Sequence, residues 1–352
     1  MSKPPVVRFT SSVLGPHERG VEFGARFRDE IGRTVSAYRR LFDAYAGTAF
    51  DVGPWADRAW QAIRRLTPEY ADEIAGIAAG AGRDPLELAT INARTEILAA
   101  AWPPHASECS TVVCLPEDGP PVAVQTWDWY DAMSDGWLEW TIPHEDGRVV
   151  HTVTEYGMLA KIGVNGAGLG VMLNMLHHEA DATIVAEGAI GYPVHLLSRT
   201  LLDRAESLKD ALAITADART SASTSLTVVD RESHAATIEL FPGGPGVLEP
   251  TDGVLVRTNH FVSERGAPGC LAATVSNSSA VRRDHLLATL TEPASSAEPI
   301  LAAMTHHHPE VGVCRHTDTR LEPALRSSTL ATVVIDPEHA SLDVSRGGPC
   351  AG

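Results

Sequence analysis

The residue pattern changes near residue 108, and this change limits the folds that the chain can adopt. Before it, apolar residues recur at steps of three and four, which predicts helices over about 17–46, 55–66, 67–80 and 84–101. Pro103 and Pro104 end the last helix, because proline lacks a backbone donor and restricts the preceding residue. Beyond residue 108, strand-like runs predominate, at 111–115, 122–127, 138–142, 149–154, 159–164, 169–173, 226–229, 236–240, 253–257, 329–335 and 341–344, with further helices predicted at 192–204, 208–218, 279–290 and 296–304.

The grouping of these elements indicates an α+β fold built in layers. Strands come in long groups with helices gathered between them, not in the strict alternation of a dinucleotide-binding fold. Residues 163–168 read Gly-Val-Asn-Gly-Ala-Gly, but this stretch joins two strand-like runs and opens no helix. A tight hairpin is therefore a better interpretation of it than a phosphate-binding loop.

The composition excludes several classes of partner. The chain has 28 Lys and Arg against 45 Asp and Glu, a formal charge of −17, which argues against binding to nucleic acid or to an anionic membrane surface. The N-terminus has no apolar signal-peptide core, and no stretch reaches the roughly 18 apolar residues of a membrane helix. The five cysteines are odd in number and scattered, a poor disulfide framework. These features together predict a cytoplasmic protein.

Two histidine clusters raise the question of a metal site. Residues 306–308 read His-His-His, and residues 177–179 read His-His-Glu. Adjacent side chains on a helix or strand point in different directions, so consecutive histidines rarely bind one ion. The sequence contains no helical His-Glu-x-x-His and no Cys-x-x-Cys motif. We therefore expect neither a catalytic metal nor a cofactor.

Cys109 stands at the boundary between the helical and the strand-rich parts, within Ser-Glu-Cys-Ser-Thr-Val-Val-Cys at 107–114. A small buried residue at the start of a strand is one interpretation. A nucleophile is the other, since a thiolate with a nearby base attacks amides. The 15 histidines allow a papain-like Cys/His pair, but the Cys-Gly-Ser-Cys-Trp context of that class is missing.

Several segments resemble one family of self-cleaving enzymes. Cys-Ser-Thr-Val-Val-Cys at 109–114, followed by Val-Gln-Thr-Trp-Asp-Trp-Tyr at 124–130, resembles the start of the catalytic chain in the penicillin acyl-coenzyme A:6-aminopenicillanate acyltransferase family of Ntn hydrolases. Other segments are similar to further family motifs in the same order: Asn-Ala-Arg-Thr-Glu at 92–96, the block 154–168, Arg-Thr-Asn-His at 257–260 and Arg-Ser-Ser-Thr-Leu at 326–330. These matches span nearly the whole chain.

The resemblance implies the four-layer αββα Ntn-hydrolase sandwich with a helical N-terminal segment. It also implies self-cleavage between Glu108 and Cys109, which gives a propeptide of residues 1–108 and a catalytic segment of residues 109–352. The two fragments are expected to stay associated as one structural unit. The family's penicillin enzyme has glycine at the position of Glu108, and a larger, charged residue there is expected to slow self-cleavage or change its pH dependence.

The resemblance further implies a catalytic role for each of four residues. Cleavage would free the α-amino group of Cys109, whose ordinary pKa of about 7.7–8.0 suits a base near neutral pH. Asp128 would orient that group, Asn259 would donate to the oxyanion, and Arg326 would favour the thiolate or bind a carboxylate. The structural alternatives are an Asx turn at Asp128, a loop asparagine at Asn259 and a surface arginine at Arg326.

Four further residues are candidates for substrate binding. Trp127, Trp129 and Tyr130 could line an acyl pocket, with core packing as the alternative. Asn165 either contributes to the site or holds the hairpin in a left-handed turn. The expected reaction is hydrolysis of a small-molecule N-acyl amide through a Cys109 thioester. Acyl transfer to an amine and a non-catalytic binding protein of the same fold are the alternatives, and a homo-oligomer is compatible with either.

Overall fold

The computed structural model describes residues 4–102, 109–181, 189–276, 278–308 and 310–351. The part before Cys109 consists of one short strand and a series of helices: β1 (Arg8–Thr10), α1 (Pro16–Arg26), α2 (Arg28–Ala46), α3 (Gly53–Leu66), α4 (Pro68–Ala81), α5 (Pro85–Asn92) and α6 (Arg94–Ala101). None of the helices in the described ranges is both long and apolar enough to cross a membrane.

Two of the predicted helices are each broken into two. The prediction of one helix over 17–46 is wrong at Phe27, and that of one helix over 84–101 is wrong at Ala93. Neither break has a glycine or proline to mark it. The Phe27 ring packs edge-on against Phe9 and lies 5.1 Å from the Tyr156 ring, so the bend turns both helices onto the same core.

The strands form two sheets, and all pairs but one are antiparallel. Eight strands pair in the order β1-β4-β5-β6-β7-β8-β9-β10, and five pair in the order β11-β2-β3-β12-β13. Only β1 and β4 pair in parallel among the described strands. The strand bounds are β2 (Ser110–Cys114), β3 (Val122–Tyr130), β4 (Trp137–Pro143), β5 (Val149–Glu155), β6 (Ile162–Asn165), β7 (Gly170–Met175), β8 (Thr224–Val229), β9 (Ala235–Leu240), β10 (Gly246–Leu248), β11 (Val254–Arg257), β12 (Ser327–Asp336) and β13 (Ser341–Arg346).

Helices cover the outer faces of the stacked sheets. On the eight-stranded sheet, a Cβ added to Gly163 would lie 2.9 Å from Leu202 in a helix, whereas one added to Gly170 would lie 2.9 Å from Ile335 in β12. On the five-stranded sheet, Val112 and Val124 pack against helices on its outer face. The four layers confirm the predicted αββα sandwich. The helices after Cys109 are α7 (Val194–Arg204), α8 (Leu208–Ala216), α9 (Ala272–Val275), α10 (Ser278–Thr289) and α11 (Ala297–Met304).

Buried ion pairs connect the N-terminal helices to the strand-rich part. The Glu73 carboxylate in α4 accepts from Arg19 at 2.7 Å and from Arg199 of α7 at 3.3 Å, and all three side chains are buried. The side chain of Asn92 donates to the carbonyl of Gly157 at 2.8 Å. The two parts therefore share one hydrophobic core.

Helices α1 and α4 approach each other through glycines spaced four residues apart. A Cβ on Gly20 or Gly24 of α1 would lie 2.2 or 2.1 Å from a carbonyl oxygen of α4. A Cβ on Gly76 or Gly80 of α4 would lie 2.1 or 2.3 Å from a carbonyl oxygen of α1. A side chain at any of these positions would therefore force the two helices apart.

We expect Gly24→Ala to destabilise the protein by about 1–3 kcal/mol, since the added methyl group would overpack the helix crossing. Gly32→Ala is the matched control, because the nearest atom to its Cβ would be Arg83 Nη1 at 3.5 Å. Alanine at this helix position should leave stability unchanged or raise it by about 0.5–1 kcal/mol. Urea unfolding measures both changes, and equal midpoints for the two variants would contradict the packing argument.

Candidate active site

Cys109 lies directly before β2, an inner strand of the five-stranded sheet, and its side chain is buried. Strand β3 runs beside it, with Ser110 paired to Thr126. The Cys109 Sγ lies 3.7 Å from the backbone oxygen of Asp128. The structure thus brings together two of the predicted site residues, Cys109 and Asp128.

The carbonyl oxygen of Cys109 accepts two hydrogen bonds. Asn174 Nδ2 donates to it at 3.1 Å and Arg282 Nη1 donates at 3.0 Å. The same guanidinium donates to Ser110 Oγ at 2.7 Å and to Asn259 Oδ1 at 3.0 Å. Arg282 is completely buried, so it fixes Asn259 relative to the start of β2.

Asn259 follows β11 and is held by neighbouring elements. Its side-chain nitrogen donates to the carbonyl of Met175 at 2.9 Å, and its backbone N–H donates to Ser279 Oγ at 2.7 Å. An amide NH₂ group has two protons, and Met175 takes one of them. The second proton remains for another acceptor. Asn259 is linked to Cys109 through the side chain of Arg282, and its role as an oxyanion donor stays a prediction.

The sequence analysis missed Asn174 and Arg282. Asn174 lies in β7 of the facing sheet, where its Oδ1 accepts from Thr111 Oγ1 at 2.9 Å and from Gln125 Nε2 at 3.4 Å. These hydrogen bonds cross the space between the two sheets. The signal in the sequence was a lone asparagine inside the apolar run Val-Met-Leu-Asn-Met-Leu at 171–176. Nothing in the sequence distinguishes the buried Arg282 from a surface arginine.

A buried group of charges was also missed. Glu155 Oε2 lies 2.9 Å from Arg94 Nη2 and 3.6 Å from Lys161 Nζ, and Tyr38 donates to Glu155 Oε1 at 2.5 Å. Lys161 Nζ also lies 3.8 Å from the centroid of the Trp127 ring, a cation–π contact. Two elements before Cys109 and two segments after it meet at this one carboxylate.

Burial and charge shift the pKa values of these groups in opposite directions. Burial, together with the Arg94 charge, lowers the pKa of Lys161 to about 7. Burial, together with the Asp128 charge, raises the pKa of the Cys109 thiol to about 11, although Lys161 and Arg282 counteract part of this. Burial alone would raise the pKa of Glu155, but Arg94 and Lys161 outweigh it and hold that pKa below its ordinary value. In the uncleaved chain the thiol is therefore protonated near neutral pH.

The aromatic candidates pack as part of the core. Trp127 is completely buried, and the Trp129 indole donates to the Tyr38 hydroxyl at 3.0 Å. The Tyr130 hydroxyl is hydrogen-bonded to the Tyr45 hydroxyl. This arrangement fits the core-packing alternative. The Trp127 and Trp129 rings also contact the cationic groups of Lys161 and Arg94. A substrate-binding role for the aromatic residues stays a prediction.

Arg326 and Asn165 are engaged away from Cys109. The Arg326 guanidinium donates to the carbonyls of Leu321 and Thr319, both at 2.9 Å. The Asn165 side chain donates to the carbonyl of Ala205 at 2.7 Å and accepts from the backbone of its own hairpin. Lys161 and Arg282 are cationic groups that lower the pKa of the Cys109 thiol, and the site roles of Arg326 and Asn165 stay predictions. The other predicted cleavage-site residue, Glu108, lies outside the described residues.

The four layers and the cysteine at the start of an inner strand define the Ntn-hydrolase class of fold. Within that class, the acyl-coenzyme A:6-aminopenicillanic acid acyl-transferase family matches residues 114–350, a range that includes Asp128 and Asn259. The chain belongs to this family, which confirms the resemblance seen in the motifs. It is therefore a member of a family of acyltransferase enzymes.

Individual proteins that are similar to this chain share a low fraction of identical residues with it. The chain is 27% identical over 339 residues to the 40 kDa form of acyl-coenzyme A:6-aminopenicillanic-acid-acyltransferase from Emericella nidulans, which covers 95% of this chain and 91% of the relative. Penicillin V acylase from Agrobacterium tumefaciens aligns with a TM-score of 0.44 and 13% identity over 68% of this chain and 83% of that chain. A variant of conjugated bile acid hydrolase from Clostridium perfringens aligns with a TM-score of 0.42 and 14% identity over 68% of this chain and 92% of that chain.

The lowered pKa of Lys161 gives a prediction about stability. The folded chain loses this proton at a pH of about 7, whereas the unfolded chain keeps it to its ordinary value of 10.5. Between these values the unfolded state binds more protons, so the contribution of Lys161 to stability rises with pH. We expect Lys161→Met to remove this rise and the exposed-site control Lys209→Met to keep it.

The measurement is urea unfolding of the two variants and the wild type at several pH values from about 7 to 9.5. The informative quantity is the difference in slope, because other titrating groups are common to all three proteins. Parallel stability profiles for Lys161→Met and Lys209→Met would show that the Lys161 amine is not perturbed.

Proposed function

We propose that the chain cleaves itself before Cys109 and then acts as an N-terminal cysteine amide hydrolase on a small-molecule N-acyl substrate. The observation that carries this proposal is the placement of Cys109 at the start of an inner strand. Its sulfur lies 3.7 Å from the Asp128 backbone, and its carbonyl is held by Asn174 and Arg282. The nucleophile is thus held in a fixed position between the two sheets.

Cleavage would also activate the thiol. In the intact chain, burial raises the pKa of Cys109 to about 11, so little thiolate is present. Cleavage releases an α-amino group on the same residue, with an ordinary pKa of about 7.7–8.0, which can take the thiol proton. The Asp128 carboxylate would orient the resulting ammonium by a charge-assisted hydrogen bond.

The hydrolytic cycle then needs two acyl transfers. The Cys109 sulfur attacks the acyl carbon, and the second amide proton of Asn259 donates to the oxyanion that forms. The tetrahedral intermediate expels the amine, which leaves with the proton held by the α-amino group. Water then attacks the thioester, and the carboxylic acid is released as the thiol re-forms.

The same proposal keeps the two fragments together after cleavage. Arg94 from the first fragment pairs with Glu155 from the second at 2.9 Å, and both side chains are buried. The Tyr70 hydroxyl donates to Asp203 across the same boundary at 2.9 Å. Separation would break these pairs and expose the apolar core that the two fragments share, and exposure of apolar surface to water is unfavourable.

Acyl transfer to an amine is the second candidate. The name of the family and the name of the Emericella nidulans relative favour it, since both describe transfer to 6-aminopenicillanic acid. Transfer and hydrolysis share the Cys109 thioester and differ only in whether an amine or water attacks it. The two candidates therefore use the same residues.

We expect Cys109→Ala to remain one chain without activity, because both cleavage and catalysis need the thiol. Cys114→Ala is the matched control, since Cys114 lies in the same strand on the outer face of the sheet. Mass spectrometry of the purified wild type should show two fragments, the second beginning with Cys109. An intact wild-type chain with full activity, or a Cys109→Ala chain that still splits after Glu108, would refute self-activation.

We expect the cleaved protein to release free acid from a panel of N-acyl amides that vary in acyl length, and to carry a thioester mass on its second fragment. The panel is repeated with 6-aminopenicillanic acid as an added amine. Formation of the new amide faster than free acid would favour transfer. Absence of both product and thioester across the panel would favour the non-catalytic alternative.

A further inference from the structure

Four side chains with metal-binding atoms converge outside the candidate active site. His307, Cys314, His316 and Cys350 place one ligand atom each within 4.8 Å of all the others. They come from the segment after α11 and from the C-terminal end of the chain. The expectation of no catalytic metal considered residues 306–308 only as a consecutive run. The structure instead combines one histidine of that run with residues that are distant in sequence.

Four of the six separations between these ligand atoms lie within about 0.6 Å of the edges of a zinc tetrahedron. His307 Nε2 and His316 Nε2 are 3.1 Å apart, and Cys314 Sγ and Cys350 Sγ are 3.2 Å apart. His316 Nε2 lies 3.5 Å from Cys350 Sγ and 3.9 Å from Cys314 Sγ. Tetrahedral zinc, with Zn–S of about 2.3 Å and Zn–N of about 2.0–2.1 Å, requires ligand separations of about 3.3–3.8 Å.

We propose that His307, Cys314, His316 and Cys350 bind one Zn²⁺ ion. Two thiolates and two imidazoles are a common ligand set of structural zinc, and they favour zinc over the hard cations Mg²⁺ and Ca²⁺. Four protein ligands leave no open position for water or substrate. The ion therefore has a structural role and takes no part in the acyl chemistry.

The site would join the C-terminal end to β12, the strand that pairs with β3 at Asp128. The backbone N–H of Cys314 donates to the His306 carbonyl at 3.1 Å. The next residue, Arg315, exchanges hydrogen bonds of 3.0 Å with Thr329, which is paired with Asp128 in the sheet. A cavity of about 360 Å³ beside His307 and His316 gives the ion a path from solvent. Loss of zinc is therefore expected to loosen the start of β12.

The test measures metal content in the full-length chain purified without chelators. We expect about one zinc per chain by mass-spectrometric elemental analysis, and less than about a tenth of that in Cys314→Ser and Cys350→Ser. Cys270→Ser is the matched control, because its sulfur lies in a different cluster, and it should retain the metal. Cys109→Ala should also retain it, which separates this proposal from the proposed self-cleavage.

Two further measurements do not depend on the folding of a variant. Cobalt substituted into the wild type should give the absorption bands of tetrahedral Co²⁺ with thiolate ligands. A strong chelator should lower the thermal midpoint of the wild type by several degrees, and added zinc should restore it. A chain that takes up no zinc on incubation, metal content unchanged in both ligand variants, or a Cys314–Cys350 disulfide in the purified chain would overturn the proposal.

Discussion

The buried carboxylate of Glu155 requires charged and hydrogen-bonding partners, and distant segments of the chain supply them. A carboxylate at this depth is tolerated only with charged and hydrogen-bonding partners, and breaking a buried pair typically costs about 3–5 kcal/mol. Tyr38, Arg94 and Lys161 supply those partners, and they come from three different segments of the chain. Glu155 therefore has all of its partners only when the helical segment is docked against the larger sheet.

A second buried charge, that of Arg282, holds the polar groups around Cys109 in place through hydrogen bonds. Its guanidinium reaches the Cys109 carbonyl, Ser110 Oγ and Asn259 Oδ1, at distances of 2.7 to 3.0 Å. A planar group with five donors can serve several acceptors at fixed angles, which lysine cannot do. The relative positions of Cys109 and Asn259 thus depend on one rigid side chain from α10.

Most of the elements could be predicted from the sequence, because their hydrophobic periodicity is strong. The helix breaks at Phe27 and Ala93 could not, since neither has a glycine or proline and both depend on tertiary packing. Strands β1 and β10 were also missed, because three residues are too few to show a period of two. Edge strands of this length form only where a neighbouring strand supplies hydrogen bonds.

The candidate site was only partly predictable, for a related reason. Motif resemblance placed Cys109, Asp128 and Asn259 in one region, but Arg282 links Cys109 to Asn259 and Asn174 binds the Cys109 carbonyl, and no motif marked either residue. The partners of a buried polar side chain are set by the stacking of the two sheets. The sequence carries that information only as a polar residue in an apolar run.

The hydrogen bonds to the Cys109 carbonyl have a consequence for the new N-terminus that cleavage would form. Newly formed termini usually fray, because their first residues have lost a covalent neighbour. Here the hydrogen bonds from Asn174 and Arg282 are made to the carbonyl oxygen and none of them uses the Cys109 nitrogen. The first residue of a cut chain would stay docked through the carbonyl oxygen of its first peptide bond. Cleavage would then convert the Cys109 nitrogen from an amide to an amine while the hydrogen bonds that position Cys109 stay in place.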